Sequence, residues 1–218
     1  MSKLWVIVGV IVVAAVVAVG LYLNFTSEEV TVTQAAQPET PAVDLTVKDD
    51  ELTYGEADAP VTIVEYASLT CPHCADFHIN VLPELKSEYF DTGKARLLYR
   101  DFPLDQLALR AAVMVRCAAP ERQKPLLDVL FKTQENWARA QEPLEAVARI
   151  GRAAGMTDET LEACFNNQQV VDAVIAERLQ AEQEYQISST PSFIIDGKVY
   201  RGGMSAEEMG RIVEDLTP

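Results

Sequence analysis

An α/β domain is what this 218-residue sequence predicts, on three observations. Val61–Ala67 (VTIVEYA) is a short β-rich run that gives way at Pro72 to a helical period. Residues 104 to 186 then hold several helical patterns and no convincing strand. The strand pattern returns at Ser192–Ile195 (SFII) and Lys198–Arg201 (KVYR), with only Asp196-Gly197 between them. The implied order is βαβ, a helical insertion, then ββα.

The elements follow in chain order. Leu4 to Leu23 is a 20-residue uncharged stretch, mostly Val, Ile, Leu and Ala, which as a helix spans roughly 30 Å and matches a bilayer core. We expect a transmembrane anchor over residues 1–23. A cleaved signal is the alternative, although Leu21-Tyr22-Leu23 continues past the small pair Ala18 and Gly20. Lys3 precedes the segment while Glu28 and Glu29 follow it, which keeps the short end cytoplasmic and exports the rest under either reading. Residues 24–44 are polar, contain Pro38 and Pro41 and show no sustained apolar period, so they read as a flexible tether. The folded domain is expected over 45–218.

Within it, Val61–Ala67 is apolar enough on both faces for a central strand. Pro72 opens a helix to about Tyr89, and Ala95–Asp101 (ARLLYRD) completes the βαβ unit. In the insertion, the apolar positions Leu104, Leu107, Ala111, Met114 and Ala118, and then Leu126, Leu130, Phe131, Trp137 and Ala138, recur at helical spacing. Pro120, Pro125 and Pro143 mark helix starts, Gly155 an end, and Thr157 with Asp158 and Glu159 a capped start, so four or five helices fit. Asp196-Gly197 signals a two-residue hairpin, and Ser205 with Glu208 forms a capping box opening the last helix.

Charge excludes one class of function. With 33 acids against 18 bases the net charge is -15, which offers no footprint for a nucleic-acid backbone or an anionic lipid surface. The four cysteines, at 71, 74, 117 and 164, are too few for a disulfide scaffold. Cys71-Pro72-His73-Cys74, however, sits at the junction of the first strand and its helix, placing Cys71 at the N-cap and Pro72 at the first helical position. A thiolate there faces the unpaired N–H groups and positive end of the helix, and His73 adds a donor or a charge. Cys71 should therefore ionise well below a free thiol. Cys74, one turn inside, is the less accessible resolving thiol.

Blander readings stand beside this one. The pair can be a structural disulfide or buried thiols, or it can join His78 in a zinc site. Structural zinc needs a fourth ligand, and His73 and His78 are the only histidines. Thr190-Pro191, before the third strand, is either an edge proline or a cis one, and the residues alone leave the isomer open. Glu65 shares a strand face with Val61 and Ile63, six residues before Cys71, where a buried carboxylate can exchange protons with Cys74. Its alternative is a surface cap at the strand end. Cys117 and Cys164 lie on apolar sides of helices, beside Met114 and after Leu161, and read as buried free thiols or as a bridge. Export favours the bridge, because reduced thiols beside an oxidising pair are liabilities.

A Pro-His dipeptide inside C-x-x-C, after VEYASLT, with Thr-Pro before a ββα ending and helices between, resembles the DsbA family of thiol-disulfide oxidoreductases. The resemblance spans about 45–218 and implies a thioredoxin-like fold with a helical insertion. It implies Cys71 as nucleophile, Cys74 as resolving thiol, Pro191 as a cis-proline facing the disulfide, and Glu65 as the family's buried acid. Thr190, at the position before that proline, tunes oxidising strength. By the same resemblance the only cofactor is the Cys71–Cys74 disulfide itself, no metal is needed, and a second disulfide, here Cys117–Cys164, occurs in some relatives. Expected partners are exported unfolded proteins with free thiols and a DsbB-like membrane oxidase, with the protein itself a monomer. The expected activity is oxidation of substrate thiols, with His73 held responsible for stabilising the Cys71 thiolate. A reductase or isomerase, or an anchored peptide-binding chaperone module, is the alternative.

Overall fold

The computed structural model describes residues 51–217, so the expected anchor at 1–23 and tether at 24–44 lie outside the described residues. No helix among the described residues is long and apolar enough to cross a membrane. Five strands form one sheet: β1 (Leu52–Tyr54), β2 (Val61–Ala67), β3 (Ala95–Asp101), β4 (Ser192–Ile195) and β5 (Lys198–Arg201), in the order β1-β3-β2-β4-β5. β2 and β3 pair in parallel, and the other neighbours are antiparallel. β1 is too short to leave a period in the sequence, and its place in the fold comes from pairing with β3.

β2 is buried on both faces, as its unbroken apolar run requires. On one face Ile63, Leu97, Tyr99 and Phe193 join the larger core with the helical insertion. On the other, Val64, Tyr66, Leu98 and Ile194 pack with Tyr185 and Ile187. Glu65 points to the first face, in register between Tyr99 of β3 and Phe193 of β4.

The helical stretch after Pro72 runs over 72–90 (α1), but it is not a uniform α-helix. Pro72–Asp76 and Leu82–Leu85 are α-helical, whereas Phe77–Val81 and Lys86–Phe90 are π-helical. Pro83 explains the first wide turn: it has no N–H, its ring crowds the carbonyl four residues back, and the preceding Leu82 N–H bonds to Phe77 O, five residues back. The extra residue turns Phe77 and His78 into the core and leaves Ile79 exposed.

The insertion holds six helices, more than the four or five that the punctuation implied: α2 (Gln106–Cys117), α3 (Pro120–Lys132), α4 (Gln134–Ala138), α5 (Pro143–Ala153), α6 (Asp158–Phe165) and α7 (Gln168–Tyr185). The additional one is α4, a five-residue turn. Thr133 (φ -111°, ψ 15°) breaks the backbone between α3 and α4 without breaking the apolar period, so sequence spacing runs through it. α8 (Ala206–Leu216) closes the chain behind the Ser205–Glu208 capping box.

Candidate active site

Three chain segments converge at the end of β2. Cys71 is the N-cap of α1 with extended backbone (φ -80°, ψ 119°), and Pro72 occupies the first helical turn. Cys74, one turn on, is fully buried; Cys71 is 5% exposed, and both are free thiols. From the far end of the chain, the Thr190-Pro191 peptide bond is cis and lies against them. The Cys71 thiol donates to Thr190 O at 3.2 Å.

The two thiols differ sharply in acidity. Cys71 is lowered from 9.0 to about 5, chiefly because the Cys74 thiol donates a hydrogen bond to the thiolate. Burial opposes this, while the Thr190 hydroxyl and the backbone N–H groups of Cys74 and His73 support it. That hydroxyl is buried and makes no hydrogen bond of ordinary geometry within the protein, the direct contact of Cys71 Sγ being to Thr190 O. Burial raises Cys74 far above an ordinary thiol, with further contributions from Cys71 and the nearby charge of Glu65. One sulfur is thus poised as an anion, and the other is held as a thiol.

His73, expected to stabilise the thiolate, lies on the solvent side of the pair. Its ring is exposed, and its resolved contribution to the thiolate is its main-chain N–H. His73→Ala keeps that donor, so Cys71 should remain below about 7 in the variant, still inside the lowered band of reactive cysteines. Thiolate absorbance near 240 nm against pH measures this; a midpoint near that of a free thiol would assign the stabilisation to the imidazole.

Behind Cys74, Glu65 is fully buried, which rules out its alternative as a surface cap. Its Oε2 lies 3.0 Å from His78 Nε2. His78 stacks on Phe131 of α3, with centroids 4.1 Å apart, and meets Tyr99 edge to face at 5.8 Å. The zinc alternative grouped His78 with the cysteines, but the wide turn of α1 directs it to Glu65. Among the described residues, no group of three or more His, Cys, Asp or Glu side chains is arranged to hold a metal.

Sequence reasoning missed the residues that hold the loop before Cys71. Gln134 Nε2 donates to Leu69 O at 2.8 Å and to Cys71 O at 2.9 Å, clamping the loop from α4. Thr70 Oγ1 donates to Asp105 Oδ2 at 2.7 Å, and Asp105 also caps α2. No motif marks Gln134, because its importance depends on where a five-residue helix comes to rest. Replacing it with Leu removes the clamp from two buried carbonyls and should cost about 2 to 3 kcal/mol. Chemical denaturation of the reduced protein tests this, and a loss below about 0.5 kcal/mol, within the ordinary surface range, would deny the clamp. Cys117 and Cys164 lie away from this site and are joined, S–S 2.08 Å, with Cα atoms 6.0 Å apart.

Comparison with known proteins places this geometry. The thioredoxin family description matches residues 47–215. A Rickettsia conorii protein named a protein-disulfide oxidoreductase is 30% identical over 197 residues, covering 88% of this chain and 71% of its own. A Rickettsia bellii protein of the same name is 32% identical over 164 residues, 74% of this chain and 63% of that one. Among solved structures, Wolbachia pipientis alpha-DsbA1 is 28% identical with a TM-score of 0.72, covering 79% of this chain and 93% of that chain. Oxidised BdbD from Bacillus subtilis, at 20% identity and a TM-score of 0.67, shares the fold over 77% of this chain and 92% of its own. With a thioredoxin-like sheet, a helical insertion and a Cys71-Pro72-His73-Cys74 helix start, this chain belongs to the DsbA family of thiol-disulfide oxidoreductases.

Proposed function

We propose that this protein is a disulfide-introducing oxidase of exported proteins. One observation carries the reading: Cys71 is stabilised as a thiolate at the start of α1, beside cis-Pro191, with Cys74 buried as a thiol behind it. Stabilising the thiolate favours the reduced protein and so makes its disulfide oxidising. In the forward reaction a substrate thiolate attacks Cys71 Sγ, the Cys71–Cys74 bond breaks, and Cys74 leaves with the electron pair and takes up a proton. A second substrate thiolate attacks the substrate sulfur of the mixed disulfide, Cys71 leaves as the thiolate, and the substrate gains its disulfide. Two substrate thiols are oxidised as one protein disulfide is reduced.

In this direction Cys71 is the sulfur attacked and then the leaving thiolate, Cys74 is the resolving thiol, and Glu65 gives Cys74 its proton; in the reverse direction Cys71 is the nucleophile and Glu65 accepts the proton of Cys74. Pro72 starts α1 at Cys71, Thr190 and Pro191 form the wall beside the sulfurs, and His73 flanks them from solvent. Thiol-bearing unfolded chains are the substrates. A DsbB-like membrane oxidase returns the dithiol to the disulfide, and the apolar segment at 1–23, with its tether at 24–44, holds the domain on the outer face of the cytoplasmic membrane. The potential of the protein against glutathione tests the reading. A value well above about -230 mV, toward the oxidising end of thiol oxidoreductases, supports an oxidase, and one near thioredoxin's, about -270 mV, overturns it for a reductase.

A further inference from the structure

Three buried polar atoms on the Glu65 face of the sheet have no partner within the protein: Glu65 Oε1, His78 Nδ1 and Tyr99 Oη. Left unpaired, each is unfavourable by about 1 to 3 kcal/mol, so a cluster of three points to bound water or to work done by the group. The three side chains are neighbours. Glu65 and Tyr99 are register partners on β2 and β3, His78 is hydrogen-bonded to Glu65, and the His78 and Tyr99 rings are in contact. Tyr99 also lines a cavity of about 220 Å³ between β3, α2 and α7, whose wall includes Asp101, Arg116 and Glu177 and whose rim includes the exposed Ala173 and Ala176. That is ample room for several waters with polar partners.

We propose that His78 and Tyr99 form a proton relay, through bound water, between this cavity and the Glu65–Cys74 pair. The inference rests on the thiol exchange proposed above and supplies what it lacks, a route to solvent for the proton of a fully buried sulfur. When Cys74 leaves the disulfide, it takes a proton from Glu65. The imidazole restores it, releasing a proton from Nε2 to Glu65 Oε2 and accepting one at Nδ1 from water held by the Tyr99 hydroxyl. When Cys74 attacks a mixed disulfide at Cys71, the same steps run in reverse: its proton passes to Glu65, the new S–S bond forms, and the substrate thiolate leaves. The electrostatics agree with this placement, because the Tyr99 hydroxyl is raised well above its usual value by burial and then by Asp101, Glu65 and Cys74, groups on both sides of it. Other ionisable groups near the relay are Glu51 and Tyr54 from the β1 segment, Cys71 from α1, Arg116 from α2, Asp128 from α3 and Glu177 from α7.

The test is the rate at which Cys74 releases glutathione from a Cys71–glutathione disulfide, followed by rapid acid quench between pH 5 and pH 8. Tyr99→Phe removes only a hydroxyl without a protein partner, so it folds and decides the matter even if His78→Gln does not. Acid–base assistance is ordinarily a hundredfold effect or more, and with water partly replacing the hydroxyl we expect release to slow roughly tenfold in Tyr99→Phe, with an altered pH profile. The equilibrium with glutathione should move less than about twofold, because a relay changes rates and not end states. An unchanged rate and pH profile overturns the relay, as does slowing accompanied by an equal shift in equilibrium, which would mark an altered Cys71. Wild-type protein that forms no Cys71–glutathione disulfide would instead overturn the proposed oxidase.

Discussion

Between pH 5 and pH 8 the equilibrium constant for reduction of this protein by glutathione should rise roughly three-hundredfold, approaching tenfold for each pH unit in the middle of that interval. The reduced protein carries Cys71 as a thiolate once pH exceeds about 5, whereas Cys74 stays protonated. Two glutathione thiols, protonated up to a free-thiol pKa of about 8.5, therefore deliver two protons, of which the protein keeps one. One proton is released per reaction, and raising the pH draws it forward. Relative to glutathione the protein becomes more oxidising by about 30 mV per pH unit, until the glutathione thiols ionise themselves. Below pH 5 Cys71 is protonated and the dependence flattens.

The same shift bears on stability. A thiol whose folded pKa lies below its unfolded value contributes stability that is fully present above the unfolded value and is lost as pH falls through the folded one. The reduced protein should accordingly gain melting temperature over the oxidised protein as pH rises from 5 toward 8.5. Equilibration in glutathione buffers from pH 4 to pH 8, followed by acid trapping and thiol counting, tests the redox slope. A flat line across that interval would remove the thiolate from Cys71 and, with it, the source of the oxidising character.

This dependence shows where the sequence was informative. Cys71 at a strand-to-helix junction could be read as an N-cap because Pro72 fixes the helix start and VTIVEYA fixes the strand, both local signals. What could not be read was the environment of the thiolate. The donors are the Cys74 thiol, a hydroxyl 119 residues downstream at Thr190, and main-chain N–H groups, which leave no mark in the sequence beyond the helix they begin. His73, the conspicuous residue of the motif, is exposed, and its main-chain N–H is one of those donors. Glu65 was visible as an acid in an apolar strand, whereas its partner His78 depends on a π-helical turn caused by Pro83, a register change no apolar period encodes. The hairpin and capping box were legible because both depend on residues two or three positions apart. β1 and α4 were not, because a three-residue strand and a five-residue helix take their identity from what they pack against.

Removing both Cys117 and Cys164 as alanines should lower stability by about 4 kcal/mol, the entropy of an unfolded chain freed from a 47-residue constraint. For a domain of this size that corresponds to a fall in melting temperature of very roughly 8 to 16 °C. The double variant is the informative one, since a single replacement leaves a free thiol beside an oxidising pair. The bond joins the C-terminal end of α2 to α6, and Arg116, the residue before Cys117, pairs with Asp101 of β3 at 2.7 Å and with Glu177 of α7. Loss of the bridge should therefore loosen the insertion against the end of β3 and leave the β2 to α1 junction intact. The redox potential should stay within about 10 mV of wild type, because a larger change would mean more than about 0.5 kcal/mol transmitted to Cys71. Burial of Cys164 and partial burial of Cys117 also shield the bond, so mild reduction followed by alkylation should label Cys71 and Cys74 alone. A double variant that melts within about 2 °C of wild type, less than the shift expected for 1 kcal/mol, would show that the bridge adds nothing the packed core does not already supply.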